Sequence, residues 1–161
     1  MKNPKERPRL RTSEMALWSS RRIGEGNAGR SSGLTTELAE EHKEIVRQSD
    51  LLNVVEDNSK LNICIRLQQL FAQHCAKEQR LLYPLLRRYL DSNVCKLLTQ
   101  EHKEISNAIR KATEQIRDDN KVACGGLSQL DQLLRPHFSK EENVLFWYLD
   151  LQLVDSTLSA S

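Results

Sequence analysis

From Thr35 onward, apolar residues recur every three or four positions, the period of helices that each bury one face. Leu38, His42, Ile45, Ser49 and Leu52 share one line and predict a first helix from about Thr36 to Val55. The polar run Asp57-Asn58-Ser59 predicts a break. Beyond it Leu67, Phe71, His74, Glu78, Leu81 and Leu85 align on a second helix, with Pro84 expected to kink or weaken its last turns. Asp91-Ser92-Asn93 suits the capping of free backbone N–H groups, and a third helix follows with Leu98, His102, Ile105, Ile109, Ala112 and Ile116 on its inner stripe. Asp118-Asp119-Asn120 and Gly125-Gly126 bracket the next connection. A fourth helix is predicted from near Ser128, where Ser128 and Asp131 have capping-box spacing, and it aligns Leu130, Leu134, His137, Glu141, Val144 and Tyr148. Four amphipathic helices with short links predict an all-α fold, an antiparallel up-and-down four-helix bundle over residues 34–154.

The stripes are not purely apolar. The chain has 4 histidines, and each inward stripe carries one of them. Two stripes add a glutamate four residues further on, at Glu78 and Glu141. The pattern is repeated: Glu41-His42-Lys43-Glu44-Ile45 recurs letter for letter as Glu101-His102-Lys103-Glu104-Ile105, and His74-x3-Glu78 is matched by His137-x3-Glu141. Residues four apart on a helix lie one turn apart on the same face, close enough to serve one or two metals jointly. A carboxylate buried on an apolar face is costly unless it is paired or coordinates a metal. A polar network in the core is the alternative, but histidine on all four stripes favours metal binding. Four imidazoles and two carboxylates are too many for a four-coordinate zinc and too rich in nitrogen for calcium or magnesium, whereas two irons bridged by carboxylates use all six. Manganese in one position stays open.

Composition agrees with helices: Gly is 6, Pro 4 and aromatic residues 5% of the 161, so little in the chain breaks a helix. No apolar run approaches the length of a membrane span, and Met15-Ala16-Leu17-Trp18 is too short for the core of a secretory signal, so a cytoplasmic location is expected. Cys64, Cys75, Cys95 and Cys124 form no CxxC pair and are expected to be free thiols, with Cys75 at a helix seam rather than on a metal. The net charge of +2 hides an asymmetry. Residues 1–33 carry eight Lys or Arg against three Glu and show no apolar period, which predicts a disordered basic tail whose functional reading is weak contact with an acidic partner. The rest is mildly acidic, so nucleic acid is not expected on the bundle itself, and residues 155–161 are expected to be a flexible end. Glu41, Glu101 and Glu142 sit off the stripes and are expected to be solvated or to orient an imidazole N–H, while Tyr83, Phe138 and Trp147, of kinds more often found in cores than in electron transfer, are assigned no role.

Residues 34–154 resemble the hemerythrin-like family, also called the HHE cation-binding domain. The marks are Glu-His-Lys-Glu-Ile in helices one and three, His74-x3-Glu78-x-x-Leu81-Leu82-Tyr83-Pro84, and His137-x3-Glu141-Glu142-x-x-Leu145-Phe146. The resemblance implies metal ligands at His42, His74, Glu78, His102, His137 and Glu141 and a cofactor of two iron ions, oxo- or hydroxo-bridged. Oxygen-carrying members have a further histidine where this chain has Ser106, so the five-histidine site of the carriers is not expected. The four-histidine, two-glutamate set is similar instead to bacterial proteins associated with repair of iron–sulfur centres, although their N-terminal cysteine module has no counterpart before Cys64. The expected function is that of a non-haem di-iron protein that binds or reacts with nitric oxide, peroxide or dioxygen in a stress response. An iron sensor or donor without turnover, and a reversible oxygen-binding protein, stand as alternatives, and whether the chain is an enzyme stays open.

Overall fold

The structure, a computed structural model, describes residues 33–119 and 124–158; the expected basic tail lies almost wholly outside the described residues. Helix α1 spans Gly33–Leu51. Helix α2 runs Asp57–Lys77, passes through a π-helical turn at Glu78–Leu82 and resumes as Tyr83–Tyr89. Helix α3 is the long Ser92–Asp119, and α4 runs Cys124–Lys140, through a π-helical turn at Glu141–Phe146, then Trp147–Leu158. The pairings show that neighbours run in opposite directions. Along α2 and α3, Phe71 meets His102 and Tyr83 meets Cys95; along α1 and α4, Thr35 meets Asp150, His42 meets Glu142 and Asp50 meets Arg135. The result is an antiparallel four-helix bundle, as the stripes predict. No helix among the described residues is long and apolar enough to cross a membrane.

Helix limits depart from the sequence reading in instructive ways. Asp57-Asn58-Ser59 is the first turn of α2 rather than a break, because the chain reverses one step earlier, through the turn at residues 52–54. Asp91 supplies the stop before α3: its side-chain Oδ1 accepts the Asn93 backbone N–H at 2.7 Å. Helix α4 starts at Cys124 and contains Gly125-Gly126, in spite of the low helix propensity of glycine. The side chain of Ser128, expected as a cap, lies outside the described residues. Helical backbone continues to Leu158, into the stretch expected to be flexible.

The two π-turns explain the largest register error. A π-turn inserts one residue into the helical repeat and so rotates everything after it by about 100°. The Tyr83 backbone N–H reaches back five residues to the Glu78 carbonyl, the mark of this widening. Pro84 follows at once and has no N–H of its own to bond the preceding turn. Leu81, aligned inward by a strict 3.6 period, is therefore turned out to 40% exposure, and Leu82, Tyr83 and Leu86 take the inner face. In α4, Leu145, Phe146 and Leu149 lie inside, whereas Tyr148 is only partly buried.

The core is split in two. One apolar cluster contains Ile45, Phe71, Ile105, Leu134 and Phe138; the other contains Leu38, Leu82, Tyr83, Leu98 and Leu145. Between them, at the same level on all four helices, lies a layer of buried histidine and glutamate.

Candidate metal centre

His42 comes from α1, His74 and Glu78 from α2, His102 from α3, and His137 and Glu141 from α4. All six are buried, and both glutamates have no exposed surface. They converge as two groups that share the glutamates: His42, His74, Glu78 and Glu141, and Glu78, His102, His137 and Glu141. Within each group the donor atoms lie within 4.8 Å of one another. The π-turns begin at Glu78 and Glu141 themselves, so each widened turn starts with the carboxylate that both groups share.

The inner nitrogens all point the same way. His42 Nε2 is 3.3 Å from Glu141 Oε2, His74 Nε2 3.5 Å from Glu78 Oε1, His102 Nε2 3.1 Å from Glu78 Oε2, and His137 Nε2 3.3 Å from Glu141 Oε1. His42 Nε2 and His74 Nε2 face each other at 3.2 Å. Among the described residues, the buried side-chain polar atoms without a hydrogen-bond partner are both oxygens of Glu78, both oxygens of Glu141, and Nε2 of His102 and His137. Native interiors leave few such atoms. That all six belong to one layer and aim at its centre is the geometry of donors around a cation.

The outer nitrogens are occupied differently. Nδ1 of His42 lies 2.8 Å from Glu142, that of His74 3.0 Å from Glu41, and that of His137 2.9 Å from Glu101; Nδ1 of His102 lies 3.4 Å from the Tyr83 hydroxyl. An Nδ1–H donated outward leaves the Nε2 lone pair free, the tautomer a metal ligand needs. Two lysines complete the arrangement, Lys77 bonding to Glu41 and Lys140 to Glu101. Phe138 stacks on the His42 ring at 3.9 Å between centroids and 12° between planes, which fixes that imidazole's orientation.

Protonation follows from burial and charge. Burial pushes His42 and His137 below the ordinary imidazole value, so both are neutral. Two adjacent buried carboxylates cannot both be ionised without a cation. Burial first, and repulsion from Glu78 second, push Glu141 well above the usual carboxylate range. Burial raises Glu78 too, but His102 Nε2 facing it at 3.1 Å and the neighbouring imidazoles bring it to a net lowering. Burial also raises Glu101, yet its bonds to His137 and Lys140 outweigh this and hold it down to about 2. The bond to His74 is the largest influence on Glu41, and with help from Lys77 it lowers that carboxyl as well.

Glu41, Glu101 and Glu142 orient imidazoles from outside the cluster, the second of the two roles expected for them. Cys64, Cys75 and Cys95 are free thiols, and Cys75 packs at the edge of the first apolar cluster and joins neither donor group. Ser106 is exposed, because α3 turns Ile105 inward instead. Tyr83 does more than pack, since its hydroxyl faces His102. Lys77 and Lys140 were not singled out, although His-x-x-Lys-Glu, read at His74 and again at His137, repeats the lysine along with the ligands.

The family model for the hemerythrin HHE cation binding domain matches residues 33–149 of the chain. No curated protein and no solved structure gives a significant match.

Proposed function

We propose that this chain, which belongs to the hemerythrin HHE cation-binding family, is a non-haem di-iron protein that binds or reacts with small oxidants such as nitric oxide, peroxide or dioxygen. The observation that carries the reading is the set of six orphaned buried atoms on Glu78, Glu141, His102 and His137, backed by the inward Nε2 atoms of His42 and His74. His42 and His74 would hold one iron and His102 and His137 the other, with Glu78 and Glu141 shared. Four nitrogens and two carboxylates suit iron better than a closed four-coordinate zinc site or an all-oxygen calcium site. Iron so bound would supply Lewis acidity and one-electron chemistry to a small ligand.

The chain's own residues set the conditions for that chemistry. Neutral His42 and His137 offer lone pairs without first losing a proton. Glu41 and Glu101, each pinned by a lysine, fix the rings of His74 and His137. The apolar clusters above and below the layer exclude water and favour small uncharged molecules over bulky or charged ones. Ser106 faces away from the centre, so no fifth imidazole comes from that position. With four protein histidines rather than five, both iron positions would keep room for an external ligand. Open positions on both metals would favour reaction with nitric oxide or peroxide over clean reversible oxygen storage. Anaerobic titration of the reduced, iron-loaded protein with nitric oxide should reach two equivalents per chain by electron paramagnetic resonance and Mössbauer counting. A single nitric oxide site together with a stable, reversible oxygen adduct would make it a carrier instead.

A further inference from the structure

The two halves of the centre are built from a repeated sequence, yet the repeat fails at two positions that touch it. The second half of each motif is offset by 63 residues, which brings Glu142 into correspondence with Gln79 and Phe146 into correspondence with Tyr83. His74 and His137 accordingly have the same surroundings, a carboxylate on Nδ1 held from behind by a lysine. His42 and His102 do not. His42 Nδ1 has the Glu142 carboxylate at 2.8 Å, whereas among the described residues His102 Nδ1 has the neutral Tyr83 phenol at 3.4 Å.

A carboxylate that accepts the outer N–H of an imidazole pushes electron density toward the inner nitrogen and makes it a stronger donor, an effect worth about 10- to 100-fold in metal affinity. A phenol oxygen at the limit of hydrogen-bonding distance does much less. In the group of His42 and His74 both imidazoles have such a carboxylate; in the group of His102 and His137 only His137 has one.

We propose that Glu142 is a positioning residue that, with only a weakly bonded phenol from Tyr83 at the matching place on His102, makes the two metal positions unequal, so that the position between His42 and His74 fills first and the position between His102 and His137 is the exchangeable one. The inference rests on the di-iron reading, and its test separates the two. The full chain, stripped of metal, is titrated anaerobically with ferrous iron alone, with binding followed by calorimetry and, using iron-57, by Mössbauer spectroscopy. The wild type should bind in two steps about 10-fold or more apart, with one quadrupole doublet at the first equivalent and a second, distinct doublet at the next. Glu142→Gln keeps shape but removes the charge. It should weaken the tighter step about 10-fold or more, leave the weaker one unchanged, and bring both doublets up together from the first addition. Glu142→Asp, which restores a carboxylate, should recover part of the difference. Tyr83→Phe should leave the tighter step unchanged and move the weaker one by less than about 3-fold. The Glu142 side chain is 40% exposed, so its variants are expected to fold, and the metal-free melting temperature checks this. Equal affinities and a mixture of doublets at one equivalent in the wild type would overturn the inference, as would equal weakening of both steps by Glu142→Gln. Failure of the wild type to bind iron at all would instead overturn the di-iron reading beneath it.

Discussion

The first helix pair, α1 with α2, and the second, α3 with α4, carry out the same construction from sequences that agree at few positions beyond the motif. In each, a Glu-His pair on one helix meets a His-x-x-Lys-Glu on the next: Glu41 and Lys77 secure His74, and Glu101 and Lys140 secure His137. Each pair also breaks its second helix into a π-turn at the glutamate. The apolar residues around these features differ freely, Phe71 standing where Leu134 stands and Cys75 where Phe138 stands. What is shared between the pairs is what a metal would require, and, Glu142 and Tyr83 apart, what differs is what packing tolerates.

The strongest way to break the equivalence of the two halves is to remove a residue they share. Glu141→Gln should abolish binding of both metals, whereas loss of a single histidine should spare one. Wild-type protein with metal at about 1,000 times its dissociation constant gains about 4 kcal/mol from binding, and that gain should vanish in the variant's thermal melt. The metal-free proteins should rank the other way. The folded-state pKa of Glu141 is raised, so its ionisation works against the fold at neutral pH; a neutral amide removes that cost and should stabilise the metal-free variant by about 1–3 kcal/mol. Differential scanning calorimetry of both forms, with and without metal, reads both signs.

The next test asks whether the two lysine-backed carboxylates are equal. Glu41→Gln and Glu101→Gln should each lower metal affinity about 10- to 100-fold, and by similar factors, as measured by competition with a coloured chelator. A large effect from one and none from the other would show that the repeat is not a functional symmetry.

Smaller, and confined to acid, is the contribution of the same carboxylates to the metal-free fold. The folded pKa of Glu101 lies at about 2, below its ordinary value of 4.5, so its stabilisation is complete above pH 4.5 and is lost as pH falls toward about 2. Glu41 is lowered likewise and adds to the loss in the same direction. Melting temperatures of wild-type and Glu101→Gln apoprotein should differ at pH 5 and converge near pH 2.

The smallest effects should come from positions near the motif in sequence but outside the cluster. Ser106→His should add no metal ligand and Cys75→Ala should remove none, with metal content unchanged by elemental analysis, because Ser106 faces solvent and Cys75 packs at a seam.

The six clustered side chains were legible in the sequence because each lies on an apolar stripe where an unpaired polar group is costly, and because the motif occurs twice. The bundle was legible for the same reason: four stripes of one period need one another. The π-turns were not. One inserted residue leaves the spacing before it and the spacing after it both helical, so Leu81 reads as core although Leu82 is the buried one. The asymmetry at Tyr83 was hidden too, since a tyrosine on a buried face reads as packing until its hydroxyl is seen against His102. The limits of α1 and α2 shifted by a few residues because the chain turns at residues 52–54, and α4 starts earlier than its glycines suggest.

The central claim, that these six residues hold two irons, is tested most directly by anaerobic reconstitution of the full chain with iron-57, followed by elemental analysis and Mössbauer spectroscopy of the oxidised protein. The account predicts two irons per chain, antiferromagnetically coupled and diamagnetic at low temperature, and none in Glu141→Gln. Two irons retained in that variant, or a wild-type chain that takes up no iron, would contradict it.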